Sequence, residues 1–264
     1  MHVNRSSRPA TIVATKPPGR HDIVRPQQRQ SVRSLPLFHR VSEAHFAELM
    51  DTALLQRFPE GVTIIQEGDL PDFLHIVVGG MVELFARHDG HETTLDIIEP
   101  GSTFILAAVV RDETYLKSAR TLTSTQLLMI PAGVVRSIFG KDAAFARAIV
   151  EELAERYRCV VRALKNEKLR TSAQRLANWV LQEGARQGNR HEVTLKIDKR
   201  TLASRLGMTP ENLSRNLGLL ARHGLSIQGP RFIIDDAAAL RIYARPNALI
   251  DDIAEPERIM ARSA

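Results

Sequence analysis

Near Pro131 the hydrophobic period of this chain changes from two to between three and four, which divides the fold into a β-rich half and a helical half. After Pro59 the runs VTIIQEG, FLHIVVGGMVELFAR, ETTLDIIEPGSTFILAAVV and ARTLTSTQLLMIP are alternating or apolar, and Gly, Asp and Pro separate them. Short strands at such spacing predict a small antiparallel barrel or roll, punctuated by turns at Glu67-Gly68-Asp69, Asp89-Gly90 and Pro100-Gly101. A helical lead-in precedes it, with Phe38, Val41, Phe46 and Leu49 in period and Ser42 as N-cap. Beyond Pro131 no proline or glycine interrupts residues 142–169, enough for a helix of about seven turns. Its Ile149, Leu153, Val160 and Leu164 form a stripe at near-heptad spacing, either core for its own domain or a coiled-coil seam. The seam is favoured because the roll is already complete, and it predicts a two-fold dimer.

The most specific local text is KRTLASRLGMTPENLSRNLGLLARHGL, which reads as a helix-turn-helix. Leu202 and Leu206 share one side of a first short helix, with Ala203 where two helices approach closely, and Gly207 breaks it. Thr209 is a natural N-cap and Pro210 occupies the first helical position, where its missing N–H costs nothing. In the second helix Leu213, Leu217 and Leu220 recur at helical spacing, which leaves Glu211, Ser214 and Arg215 outward near its N-terminal end. A recognition helix carries its base-reading side chains there. Upstream, Thr171 or Ser172 caps a helix whose Leu176, Trp179 and Val180 should pack beneath the motif. Downstream, LSIQGPRFIIDD predicts a two-stranded wing turning at Gly229-Pro230, with Arg231 placed to meet phosphate.

Charge separates the two halves. The chain carries a net +6, but residues 34–169 are net −5 and residues 170–247 net +7. Only the second part is suited to a polyanion. The single cysteine, Cys159, excludes an internal disulfide framework and any all-Cys metal or iron–sulfur site within one chain; it is expected to be a small buried hydrophobe. No apolar run is long enough to span a bilayer and no secretory signal is evident, so a cytoplasmic protein is expected. Residues 1–33, rich in Arg, Ser, Pro and Gln, predict a disordered basic tail. The expected order is then an α+β chain: a roll over residues 34–140, a dimerisation helix over 141–169, a winged helix over 170–247 and a frayed tail over 248–264.

This order, with E-G-D, G-x-V-E-L and P-G-S in the roll and E-x-x-S-R on the second helix, resembles the Crp/Fnr family of bacterial transcription regulators. The resemblance extends from about Leu35 to Pro246. It implies a double-stranded β-helix (jelly-roll) sensor domain, a homodimer on palindromic double-stranded DNA, and contact with RNA polymerase, recruiting or obstructing it according to operator position. In the Fnr- and FixK-like branch, residues matching Glu211, Ser214 and Arg215 read a TTGAT-type half-site. Arg215 can pair bidentately with a guanine edge, Glu211 can accept from a cytosine amine, and Ser214 can contact thymine or phosphate. A surface ion pair between Glu211 and Arg215 is the plainer alternative. Thr209, Lys199, Arg200 and Arg231 are expected on the DNA backbone. Asn216 falls where recognition helices of the family usually carry an apolar residue.

The sensor departs from the family pattern. Cyclic-AMP-binding members carry roughly F-G-E-L and then R-S/T-A, where Glu holds ribose and Arg the cyclic phosphate. Here the text is Phe104-Ile105-Leu106-Ala107, then Lys117-Ser118-Ala119. The Glu is absent, and Lys lacks the planar fork of Arg. The region around Phe104, Leu106, Ala107, Lys117 and Ser118 is therefore an effector pocket unsuited to cAMP, and an apolar or small uncharged effector, or none, is allowed. The N-terminal cysteines of the iron–sulfur members are missing. Haem remains an option through His75 on a strand, or His88 and His91 beside the Asp89-Gly90 turn, although such histidines are more often packed or solvated. A signalling subunit that uses the roll without DNA is the rival reading; it would not need a basic C-terminal half. No metal-ligand spacing, Gly-rich phosphate loop or nucleophile elbow points to an enzyme.

Overall fold

In the computed structural model residues 26–188 and 191–251 are described. They divide into two compact units whose boundary, between Ala154 and Glu155, falls inside one long helix. The first unit opens with α1 (Pro26–Arg33) and α2 (Glu43–Thr52). Then come β1 (Leu54–Phe58), β2 (Thr63–Ile65), β3 (Phe73–Gly79), β4 (Val82–His88), β5 (His91–Ile98) and β6 (Thr103–Phe104). It continues with α3 (Leu106–Arg111), β7 (Ser118–Thr121), β8 (Thr125–Pro131), α4 (Ala132–Phe139) and the long helix α5 (Ala143–Leu169).

The strands form two antiparallel four-stranded sheets, ordered β1-β8-β3-β6 and β2-β7-β4-β5. Alternation along β3 explains the layers. Leu74 and Ile76 face outward into a helix-covered core with Phe38, Phe46, Val135, Phe145 and Ile149, whereas Val77 joins Phe58, Val82, Leu84, Phe104 and Leu127 inside the roll. Ser42 caps α2 as expected, accepting from the His45 N–H. The Asp142 carboxylate ties that cap to the long helix by accepting from the Ser42 N–H at 3.0 Å and from the Phe145 N–H at 3.0 Å.

Two expectations are corrected here. The run FILAAVV is not a strand throughout: Ile105 turns the chain at φ 58°, and the residues after it wind into α3. Disorder does not extend to residue 33 either. Pro26 opens α1 at the position where its absent N–H is no loss, and Val32 is buried in the helix-covered core. The remainder of the predicted tail, residues 1–25, lies outside the described residues.

The second unit contains α6 (Ser172–Arg186), β9 (Glu192–Thr194), α7 (Lys199–Arg205), α8 (Pro210–Leu220), β10 (Leu225–Gln228), β11 (Arg231–Ile234) and α9 (Ala237–Ala244). Thr171 starts α6 with a capping box closed by Gln174. Leu176, Val180, Leu202, Leu213, Leu217 and Phe232 share one core, with Trp179 packed against it. The wing turns at Gly229 (φ +62°), as its sequence predicts, but β9 adds a third strand in the order β10-β11-β9. Three residues of β propensity are too few to announce a strand before its partner is known.

Nor does the chain fray at residue 247. Asp251 is 2% exposed and forms a bidentate pair with Arg170, its Oδ1 accepting from Nη1 at 2.6 Å and its Oδ2 from Nη2 at 2.5 Å. Gln182 Nε2 and the Asn247 N–H donate to the same carboxylate, each at 2.7 Å. Residues 252–264, the rest of the predicted tail, lie outside the described residues. Removing one member of a buried pair strands the other charge. Asp251→Ala is therefore expected to cost about 3–5 kcal/mol in urea unfolding, and Arg170→Leu with Asp251→Leu to cost less than the single change. Equal losses in the two proteins would contradict this.

Candidate nucleic-acid interface

Three local rules shape the motif. Asp198 caps α7 by accepting from the Thr201 N–H at 2.7 Å, Gly207 takes φ +62° in the turn, and Thr209 caps α8 by accepting from the Asn212 N–H at 3.3 Å. Leu213, Leu217 and Leu220 are buried on one side of α8, so Glu211, Ser214 and Arg215 are left exposed on the other. Arg215 does not rely on Glu211 for its position. Its Nη2 donates to Asn212 Oδ1 at 2.6 Å, which leaves further guanidinium donors pointing from the same face. The Glu211 carboxyl is held below the usual range by its own backbone N–H in the first helical turn, then by the Thr209 hydroxyl and the charge of Arg215. It stands as an ionised acceptor beside a cationic donor.

The remaining predicted contacts are exposed as well. Lys199 and Arg200 are exposed in the first turn of α7, and Thr209 is exposed at the α8 cap. Arg231, on the wing strand, is exposed and 3.5 Å from Glu192. Donors that flank a recognition helix suit phosphate oxygens, which fix register without reading sequence.

A residue absent from the sequence expectations holds the motif together. Arg175 on α6 is 7% exposed, and its Nε donates to the Leu206 carbonyl at 2.9 Å and its Nη2 to the Gly207 carbonyl at 3.0 Å. Its Nη1 reaches the Arg170 carbonyl at 3.1 Å, and the Glu167 carboxylate lies 3.4 Å away. One buried guanidinium thus joins the end of α5, the start of α6 and the turn of the helix-turn-helix. Gly207 is needed for its positive φ; a Cβ there would also stand 2.6 Å from Glu167 Oε2, the end of a flexible side chain that can move aside. Asn216 also finds its purpose: its Nδ2 donates to Ser172 Oγ at 3.0 Å and lies 3.4 Å from Met208 Sδ, pinning α8 to the start of α6. A lone polar residue facing the core signals such a bond in the sequence, but not its partner.

The long helix divides the predicted stripe. Ile149 is fully buried in the core of its own unit and Leu153 packs against that core, whereas Val160 and Leu164 are 64% and 55% exposed. The first half of the stripe therefore serves the core of the first unit, contrary to expectation. The exposed large apolar residues of α5 are Val150, Tyr157, Val160, Val161, Leu164 and Leu169; Tyr157, four residues after Leu153 and three before Val160, falls within the predicted stripe, whereas Val150 lies about 100° around the helix from Ile149. Cys159 is exposed rather than buried, 3.9 Å from Glu155 Oε1.

The five predicted effector residues differ in their surroundings. Phe104 belongs to the roll interior, Leu106 to the helix-covered core, Ala107 is exposed and Lys117 half-buried. Ser118 Oγ is engaged by the Glu67 N–H at 3.0 Å. His75 is 3% exposed, stacks on Phe104 with ring centroids 5.2 Å apart, and its Nδ1 has no partner among the described residues. Burial, only partly offset by the Phe73 backbone, pushes its pKa down to about 4. His88 and His91 face one another across the turn and are exposed. Among the described residues no group of three or more His, Cys, Asp or Glu side chains could hold a metal ion, and no helix is long and apolar enough to cross a membrane.

A roll followed by a winged helix with an outward Glu, Ser and Arg is the build of a DNA-binding transcription regulator. Residues 55–142 match the cyclic nucleotide-binding domain and residues 174–243 the Crp-like helix-turn-helix domain, and the chain belongs to the Crp/Fnr family. It is 29% identical over 214 residues to the cyclic AMP receptor protein of Thermus thermophilus, covering 79% of this chain and 96% of that protein. It is 25% identical over 215 residues to the CRP-like cAMP-activated global transcriptional regulator of Mycobacterium tuberculosis, with the same coverage. The structure of FixK2 from Bradyrhizobium japonicum shares the fold, with a TM-score of 0.65 at 19% identity over 74% of this chain and 98% of that one.

Two measurements probe these sites. Because the folded pKa of His75 is depressed, the unfolded chain takes up a proton below about pH 6.5 that the folded chain refuses until about pH 4. Stability is thus fully present above pH 6.5 and declines between those values, by about 3 kcal/mol. His75→Leu should flatten that part of the curve, and an unchanged slope in pH-dependent urea unfolding would count against the assignment. Gly207→Ala should cost about 1–2 kcal/mol of stability, and adding Glu167→Ala should restore little of it, because the backbone cost at positive φ remains when a flexible carboxylate is removed.

Proposed function

We propose that this regulator binds a palindromic operator as a homodimer, with one α8 in each of two successive major grooves. Arg215 pairs with a guanine edge, Glu211 accepts from a cytosine amine, and Ser214 contacts thymine or phosphate in a TTGAT-type half-site. Thr209, Lys199, Arg200 and Arg231 hold the flanking phosphates. The observation that carries this reading is the division of α8: its leucines are buried while Glu211, Ser214 and Arg215 share the exposed face. The net charge of +7 over residues 170–247 supports it.

Dimerisation is assigned to α5, along its exposed Tyr157, Val160 and Leu164 with Val150 about two turns upstream of Tyr157. Residues 150, 157 and 164 are spaced by seven, the repeat of a two-stranded seam. A second chain would cover side chains that are otherwise costly to leave in water. The dimer would act in the cytoplasm and engage RNA polymerase at its promoters, as the family resemblance implies.

Both curated relatives are named for cAMP, but the roll here favours a different effector. The cassette offers Leu106 where the family has Glu, and Lys117 where it has Arg. The apolar packing of Phe58, Val77, Val82, Leu84, Phe104 and Leu127 inside the roll further disfavours a charged nucleotide.

A selection of bound duplexes from genomic fragments, followed by gel shifts, tests the operator assignment. Arg215→Ala should lose about 1–3 kcal/mol of binding and relax preference at its base pair, and retention of full discrimination against a scrambled duplex would remove it from the base-reading set. Lys199→Ala should weaken all duplexes alike and lower the salt slope by about one per protomer.

A further inference from the structure

Helix α1 precedes the residues that match the cyclic nucleotide-binding domain, and it roofs a cavity that the roll alone would not have. The cavity has a volume of about 130 Å³ and lies between α1 and the outer face of the β1-β8-β3-β6 sheet. Leu55, Ile76 and Leu128, each buried, form its floor, and Val32 and Leu35 line the α1 side. Gln28, Ser31 and Gly101 also border it, and the last two are exposed, which provides a way in from solvent. Arg29 anchors α1 to α2 through Asp51 at 2.7 Å, and Arg33 donates to the Phe38 carbonyl at 3.0 Å while covering the Phe46 ring. The roof is held at its middle and at its C-terminal end, so the space beneath it is built into the fold.

We propose that this cavity is a ligand site for an uncharged, apolar molecule of single-ring size, an inference that rests on reading the roll as the regulator's sensor. Three features select that chemistry. None of the lining residues is ionisable, so a buried charge would find no partner. The floor is aliphatic and rewards apolar surface. The volume is close to that of engineered cavities of roughly 150 Å³ lined by Leu, Ile and Phe, which take up benzene or xenon. The floor also belongs to the same apolar cluster as Phe145 and Ile149 on α5, so a molecule seated there packs into the core that positions the start of the long helix.

The test uses the full chain and fluorobenzene as probe, followed by fluorine NMR. Saturable broadening with a dissociation constant on the order of 1 mM or tighter, reversed by benzene, is expected. Ser31→Phe at the rim and Val32→Phe in the roof should each weaken it at least about tenfold, with circular dichroism unchanged. If Val32→Phe fails to fold, the exposed Ser31→Phe still decides the matter. Absence of saturable binding, as when another part of the chain already fills the space, overturns the proposal. Equal binding in a folded Ser31→Phe protein overturns it too. Operator binding is read separately by gel shift, so failure of the regulator reading and failure of this one leave different records.

Discussion

The guanidinium of Arg175 is the point on which the second unit depends. A recognition helix reads bases only if its angle to the supporting helices is fixed, and the short turn between α7 and α8 leaves carbonyls that water would otherwise take. Arg175 takes those of Leu206 and Gly207 and at the same time the carbonyl of Arg170. It is buried but not unpaired, since Glu167 stands beside it, and burial in low dielectric strengthens each of these bonds. Any shift of the last turn of α5 therefore reaches the turn before α8 through one rigid side chain rather than through a loop.

A second buried charge reinforces the same joint. Arg170 is gripped by Asp251, which Gln182 and the Asn247 N–H also hold. Asn178 Nδ2 donates to the Ala244 carbonyl at 2.7 Å, so the end of α9 is bonded to α6 as well. The chain after the wing folds back as a strap over the α5–α6 corner. Neither charge would be tolerated there alone, and their pairing makes the corner a single, specific arrangement.

The first unit is organised differently. Its roll interior is lined by apolar side chains, and the one buried side-chain polar atom without a partner among the described residues, His75 Nδ1, belongs to a ring stacked on Phe104. A cavity lies on the outer face, under a helix that precedes the matched domain. Sensor domains of one architecture can thus place their cavities on either side of a sheet, because alternation along a strand such as β3 gives both faces an apolar surface.

Much of this was legible in the chain itself wherever chemistry is local. The caps at Ser42, Thr171 and Thr209, the proline at the start of α8, the glycine in its turn and the leucine spacing that leaves Glu211, Ser214 and Arg215 outward are each decided by neighbours within four residues. What required the tertiary structure was every feature with a distant partner: β9 beside β11, Arg170 with Asp251, Asn216 with Ser172, and Arg175 with the turn. The stripe on α5 belongs to that class too. Ile149 and Val150 are equally apolar in sequence, and only the packing of the sensor core against one side of the helix decides that Ile149 is taken and Val150 left to solvent, because periodicity defines a face but not what covers it.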